Sequence, residues 1–221
     1  MEKGDVIRIN YIGRLENGEI FDLTYEDVAK KEKVHSSHIK YKPVPVIVGA
    51  GFVIPGVDNA IKGMKVNDKK SITVQPKEGF GERDPKLIHV VPQNTFKDQK
   101  VEPRQGMIVD FSGMKGRIQS VTGGRVRVDF NNPLAGKTLK YDIEIVEKID
   151  DPVEKVKGVF EFFGFYGIDI TIDKKEAVVK ALIPQEMKKK LSMIVIENIP
   201  EVEKITYQES YEKKANDEKK E

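Results

Sequence analysis

The stretch YIGRLENGEIFD (residues 11–22) decides how the chain begins. From just ahead of it, Val6, Ile7, Ile9 and then Ile12 within it are interleaved with Arg8 and Asn10, and Glu16-Asn17-Gly18 interrupts the pattern before Ile20 and Phe21. Apolar alternation broken by Asn-Gly predicts strand, turn, strand. Working outward, Thr24 to Pro43 is polar and helix-permissive, a solvated excursion from the sheet. Val44 to Val48 reads as a short strand whose Pro45, lacking an N–H, confines it to an edge. A second stretch, GAGFVIPGVDNAIKG (49–63), is predicted to break at Gly56 and then to set Val57, Ala60 and Ile61 on one face of a short helix that Gly63 closes. Lys70 to Gln75 returns to alternation, so the first part is a sheet packed on one short helix.

Farther on the periodicity changes. Ile88–Pro92, Met107–Phe111, Arg117–Val121 and Arg125–Phe130 are four short predicted strands, the last two joined through Thr122-Gly123-Gly124. Thr138 to Val146 alternates as the early strands do, so an inserted unit with the parent sheet resuming near Lys137 is the economical arrangement. Asp150-Asp151-Pro152 marks a boundary. Beyond it Val153, Val156, Phe160 and Phe163 have helical spacing, Ile168 to Ile172 alternates, Ala177 to Ile183 is apolar, Met187 to Asn198 carries a second helical stripe and Glu203 to Tyr207 reads as a last strand. The expected division is 1–85 with 133–151, an insert over 86–132, an α+β domain over 152–211 and a disordered tail over 212–221.

Composition removes several chemistries. The 221 residues carry 38 Lys plus Arg against 36 Asp plus Glu, a net +2 that supplies no global field for nucleic acid or a membrane surface. The absence of Cys excludes thiolate nucleophiles, disulfides and Cys-ligated metal. No apolar run approaches the roughly 18 residues of a membrane span, and the first residues lack the pattern of a signal peptide, so the expected setting is the cytoplasm. His35 and His38 stand three apart, yet His89 is the only other histidine, so they read as solvated loop residues and no metal or cofactor is expected. There is no Gly-x-Ser-x-Gly elbow and no P-loop.

What remains is a set of apolar and aromatic residues beside turns: Tyr11, Phe21 with Asp22, Val53, Ile54, Val57, Phe80 and Tyr141. Singly, each reads as core. Together, residues 11–22 and 49–64 resemble the two signatures of FKBP-type peptidyl-prolyl isomerases in order and spacing, and QPKEGFG (75–81) stands where that family carries an aromatic near its flap. HVVP (89–92) and DFNNPLAG (129–136) are similar to the boundaries of the insert in the SlyD-like subgroup. The resemblance covers about residues 1–150 and implies an α+β fold, an antiparallel half-barrel sheet wrapped on a short helix, with a small all-β insert and a C-terminal α+β domain.

By that resemblance the prolyl pocket is walled by Tyr11, Phe21, Val44, Val46, Val53, Ile54, Val57, Phe80 and Tyr141, with Asp22 its one acid. Asp22 could orient a tyrosine hydroxyl, meet the substrate backbone or stabilise its turn. Single-domain members carry Trp where Val57 stands and larger aromatics at Val44 and Val46, which implies a wider pocket here. The subgroup's His before proline is replaced by Asn132, and its His- and Cys-rich tail is absent, so nickel binding is not implied. The insert holds eight basic and four acidic residues together with Val90, Val91, Phe96, Met107, Val109, Phe111 and Met114, more apolar surface than about 45 residues hide well. It is expected to hold unfolded, proline-containing polypeptides, as in the family. The rival reading is a proline-binding chaperone or adaptor without turnover. Phe160, Phe162, Phe163, Phe165 and Tyr166 fill either the C-terminal core or a homodimer face. Local charge such as Lys188-Lys189-Lys190 reads as a solvated face rather than a nucleic-acid site.

Overall fold

The computed structural model describes residues 1–97, 101–111 and 113–210; the expected disordered tail, 212–221, lies outside the described residues. Two compact units divide the chain, one formed by Met1–Ile72 with the chain from Lys140 onward, the other by Thr73–Leu139. The architecture is α+β with open sheets, antiparallel except for one parallel pair, and few helices.

In the first unit β1 (Val6–Leu15) pairs antiparallel with β2 (Ile20–Leu23). After α1 (Glu26–Lys31), which occupies part of the polar excursion, β3 (Val44–Ile47) pairs with the first half of β1. Pro45 stands opposite Arg8, on a strand whose only partner among the described residues is β1, as its missing N–H demands. The helix α2 (Pro55–Ile61) follows with Val57, Ala60 and Ile61 buried. Gly56 lies inside it rather than breaking the chain, because Pro55 at the first helical position already sets the turn. Next comes β4 (Lys69–Val74), and the sheet is ordered β2, β1, then Leu139–Ile149, then β4.

The second unit carries β5 (Ile88–Pro92), a single helical turn α3 (Asn94–Lys97), β6 (Ile108–Phe111), β7 (Met114–Thr122) and β8 (Arg125–Asp129). The strands form an antiparallel sheet in the order β5, β8, β7, β6. Gly123 and Gly124, at φ 57° and 72°, supply the left-handed turn that closes β7 onto β8, with Thr122 opposite Arg125. Phe96, Ile118, Val126 and Val128 make its small core.

The chain returns to the first unit through β9 (Leu139–Ile149) and enters α4 (Pro152–Phe162). The Asp151 carboxylate accepts from the Glu154 N–H at 2.9 Å, and Pro152 fills the first helical position, so the expected boundary is a helix N-terminus. The segment continues with β10 (Asp169–Asp173), β11 (Glu176–Lys180), α5 (Gln185–Asn198) and β12 (Lys204–Gln208), the last pairing parallel to β11.

α4 lies against the outer face of the parent sheet. One apolar cluster joins Val6, Ile47 and Ile149 of that sheet to Val156, Val159 and Phe160 of α4 and to Val179, Leu191 and Val195 beyond. The approach is close: a Cβ at Gly158 would sit 3.2 Å from the Pro45 Cβ. The phenylalanines of this segment pack within the chain, whereas Tyr166 is exposed. Phe160 is fully buried, Phe163 and Phe165 pack on the same cluster, and Phe162 meets Phe52 at 4.5 Å between ring centres. The Tyr166 ring faces the ammonium groups of Lys40 and Lys42 at 4.3 and 4.1 Å.

An ionic junction flanks the cluster. Arg8 donates from Nε to Glu147 at 2.9 Å and from Nη1 to Glu161 at 2.8 Å, and Lys42 approaches Glu161 at 3.5 Å. Burial pushes the Glu161 carboxyl up, but the Arg8 hydrogen bond and the charges of Arg8 and Lys42 outweigh it and hold the group below its ordinary value. A depressed folded-state value stabilises the fold above the unfolded pKa of about 4.3 and loses that contribution as pH falls through the folded one. Urea unfolding midpoints between pH 6 and 3, on the order of the range in which carboxylates titrate, are therefore expected to fall more steeply for the wild type than for Glu161→Gln; parallel profiles would remove Glu161 from the acid response.

Candidate active site

Alternation along β1 sends Ile7, Ile9, Tyr11 and Gly13 to one face. Val46 stands opposite Ile7 and Val44 opposite Ile9 in an antiparallel pair, so both valines share that face. Val46 is fully buried and Val44 half-buried. Tyr141, on β9 beside β1, is 7% exposed.

The hairpin contributes two consecutive residues, Phe21 and Asp22, and two neighbours on a regular strand would point to opposite faces. The register resolves the conflict: Gly13 pairs with Asp22 and Arg14 with Ile20, leaving Phe21 as an extra residue at a bulge. Asp22 thus keeps the face of Gly13 and Tyr11, and its Oδ2 accepts the Tyr11 hydroxyl at 2.7 Å. Phe21 is re-aimed toward Tyr141, edge-on at 5.7 Å between ring centres and 81° between planes. Tyr11 and Tyr141 stand 6.0 Å apart. Of the roles open to Asp22, orienting a tyrosine is therefore the one with a hydrogen bond to it.

Two supports escaped the sequence reading. Thr24, buried at the end of the hairpin, accepts the Tyr11 N–H at 3.0 Å and donates to Asn10 at 2.8 Å, fixing the backbone that carries the tyrosine. Gly13 leaves the space into which the rings settle: a Cβ there would lie 2.7 Å from Phe21 Cζ and 3.2 Å from Tyr141. The motif held this glycine all along, but only the bulge across from it explains why a side chain does not fit.

Val53 and Ile54 are half-buried at the start of α2, and Val57 is buried in its first turn. The segment before the helix is tied by the buried Asp58, whose carboxylate accepts the Gly49 N–H at 2.7 Å and pairs with Lys62 at 3.0 Å. Phe80 belongs to the other compact unit, half-buried after a short turn of helix at Pro76–Glu78.

Electrostatics keep the phenols protonated. Burial raises both Tyr11 and Tyr141 far above the ordinary tyrosine value, and the Asp22 charge adds to it in each case, with a direct hydrogen bond at Tyr11. The Tyr141 hydroxyl has no hydrogen-bond partner among the described residues, which leaves a neutral donor over the rings.

The histidines do not converge. His35 stacks on Tyr41 at 5.2 Å and lies 3.5 Å from Glu26, while the Lys86 carbonyl accepts from His89 Nε2 at 3.0 Å. Among the described residues no group of three or more His, Asp or Glu is placed to hold a metal. In the second unit Val90 is 62% exposed, and Met107 and Met114 are exposed too, whereas Val91, Val109 and Phe111 pack against its core. Phe96, expected on the client face, is instead in that core at 1% exposure, where its ring meets Phe111 edge-on at 5.5 Å between ring centres.

A family model described as FKBP-type peptidyl-prolyl cis-trans isomerase matches residues 1–146. The chain is similar to the short-type peptidyl-prolyl cis-trans isomerase of Methanocaldococcus jannaschii, 39% identical over 145 residues, 66% of this chain and 92% of that protein. It is also similar to the probable FKBP-type 16 kDa peptidyl-prolyl cis-trans isomerase of Pseudomonas fluorescens, 30% identical over 146 residues, 64% of this chain and 87% of the other. The SlyD isomerase of Helicobacter pylori is 29% identical over 118 residues, 51% of this chain and 63% of that one.

The ring packing carries a direct test. Gly13→Ala must push Phe21 or Tyr141 aside and is expected to cost about 1–3 kcal/mol in denaturant unfolding, with an altered near-ultraviolet dichroism of the tyrosines. An unchanged midpoint and spectrum would mean that the rings do not depend on the glycine.

Proposed function

The chain belongs to the FKBP-type peptidyl-prolyl cis-trans isomerase family, and we propose that Tyr11, Phe21, Asp22, Val44, Val46, Val53, Ile54, Val57 and Tyr141 form the cleft in which it turns X-Pro bonds of polypeptides, with Phe80 assigned to it by its motif alone. The carrying observation is the ring cluster of Tyr11, Phe21 and Tyr141, in which the Tyr141 phenol has no hydrogen-bond partner among the described residues.

The chemistry asks for little else. The barrier of roughly 18–20 kcal/mol is lost amide resonance, and no bond is made or broken. A catalyst need only bind the twisted amide better than the planar one. The planar imide carries more charge on its carbonyl, so an apolar, aromatic surface disfavours it relative to the rotated state. Twisting also makes the imide nitrogen pyramidal, and the proline ring needs a shape-matched seat, to which the half-buried Val44, Val53 and Ile54 offer apolar surface. The Tyr141 hydroxyl donates to a substrate carbonyl. Asp22 holds Tyr11 and keeps one oxygen for a substrate N–H. Four decades of acceleration require only about 5–6 kcal/mol.

The insert, taken as residues 86–132 within a parent domain of 1–85 and 133–151, captures unfolded clients through Val90, Met107 and Met114, with Val91, Val109 and Phe111 at the margin. Capture raises the concentration of prolyl bonds at the cleft. Flexible Met side chains suit varied partners. The setting is cytoplasmic, and neither a membrane nor nucleic acid is a partner; among the described residues no helix is long and apolar enough to cross a bilayer.

Relaxation of a neutral prolyl tetrapeptide tests the reading. The wild type is expected to accelerate it, and Tyr141→Phe to lose about five- to tenfold in kcat/KM, the worth of one hydrogen bond. Replacing residues 86–132 by a short turn should spare that substrate and sharply slow refolding of a proline-limited protein. Absence of acceleration by the wild type would leave the rival, a proline-binding module without turnover.

Residues 152–211 also mediate a homodimer, a reading supported by the exposed Leu182, Met193 and Ile196 around α5. Sedimentation of the full chain and of Met193→Glu should give a dimer and a monomer; a monomeric wild type ends it.

A further inference from the structure

The second unit contains a cavity of about 420 Å³ that the isomerase chemistry does not use. Arg83, Lys115, Arg117 and Lys137 line it, with Asp129 the single carboxylate. Asp129 is buried and fully engaged: it pairs with Arg83, accepts from Gln119 Nε2 at 2.9 Å, and accepts both the backbone and side-chain N–H groups of Asn131 at 2.9 and 2.8 Å. One cation is thereby neutralised. Lys115, Arg117 and Lys137 form no ion pair among the described residues. Three unpaired cations lining one hollow repel one another and favour an anion between them. Ile108, 63% exposed, and Pro133 also line it, beside Gly116, Asn131 and Asn132, so the charge is set beside apolar surface.

We propose that this cavity binds carboxylate side chains of unfolded polypeptides, making acidic residues next to apolar ones the preferred client segments. The inference rests on the reading of the insert as the client-holding unit and names the chemistry it selects. Arg117 offers a planar fork suited to a carboxylate, while Lys115 and Lys137 add mobile point charges. The volume lies within the roughly 300–1,000 Å³ of ligand sites and exceeds what a single small ion fills. The apolar flank favours a peptide over a free oxyanion, which would gain nothing from Ile108.

Fluorescence anisotropy with the full chain decides it, using a labelled, proline-free dodecapeptide of alternating Glu and Leu and its Gln counterpart. At low salt the Glu peptide is expected to bind about tenfold tighter, the scale of one or two charge-assisted hydrogen bonds. That advantage should disappear in K115Q/R117Q/K137Q and shrink as salt shortens the Debye length to about 3 Å near 1 M. Turnover of the neutral prolyl tetrapeptide and the unfolding midpoint should stay unchanged in the variant, which certifies its fold. Equal binding of both peptides by the wild type, or a Glu preference retained by the triple variant, overturns the carboxylate site while leaving client holding intact. Binding of neither peptide defeats client holding and the site together. Inorganic phosphate displacing label at micromolar levels without any Glu preference would make the cavity a free-anion site and overturn the proposal as well.

Discussion

The bulge between Gly13 and Arg14 is the constraint from which the proposed cleft follows. A regular hairpin would give Phe21 and Asp22 to opposite faces, and a ring and its acid could not serve one surface. One extra residue in β2 turns both inward, Phe21 onto Tyr141 and Asp22 onto Tyr11. The same insertion favours glycine at position 13, because the re-aimed Phe21 occupies the volume a Cβ needs. Local backbone irregularity, a missing side chain and a protonated phenol are thus three views of a single geometric choice.

Around this choice the fold spends its polar groups on position. Thr24 fixes the Tyr11 backbone, and Asp58 joins the Gly49 turn to α2. Neither touches the rings. The apolar groups divide between two jobs, since β1 is buried on both faces over its first half, with Ile7 and Ile9 inward and Val6 under the C-terminal segment. That segment is therefore part of the same packed unit as the sheet, through apolar contact and the Arg8 junction with Glu147 and Glu161.

Much of this was legible in the residues. Alternation from Val6 and the Asn17-Gly18 turn announced β1 and β2, and the apolar spacing of Val57, Ala60 and Ile61 announced α2. The strands of the insert and the order helix, strand, strand, helix, strand after Asp151 were readable for the same reason. The bulge was not, because a one-residue shift of register changes no periodicity. Nor was the burial of Phe96, whose helical turn is too short to show a pattern. The covered outer face did leave a mark: Val6-Ile7 and Val46-Ile47-Val48 are continuous apolar runs, the signature of strands enclosed on both sides, and strict alternation was the wrong template for them. The aromatic cluster near Phe160 could not be resolved between core and interface, since composition says that rings are buried but not against what.

The docking of α4 carries an implication for shorter chains of this fold. Val6, Ile47 and Ile149 present an oily strip that only a companion helix keeps dry. A protein of this architecture ending near residue 150 must either repaint those three places with hydrophilic side chains or recruit some other cover, so the identity of residues at these three sites tells, before any coordinates exist, whether a given sequence travels alone or with an appendix.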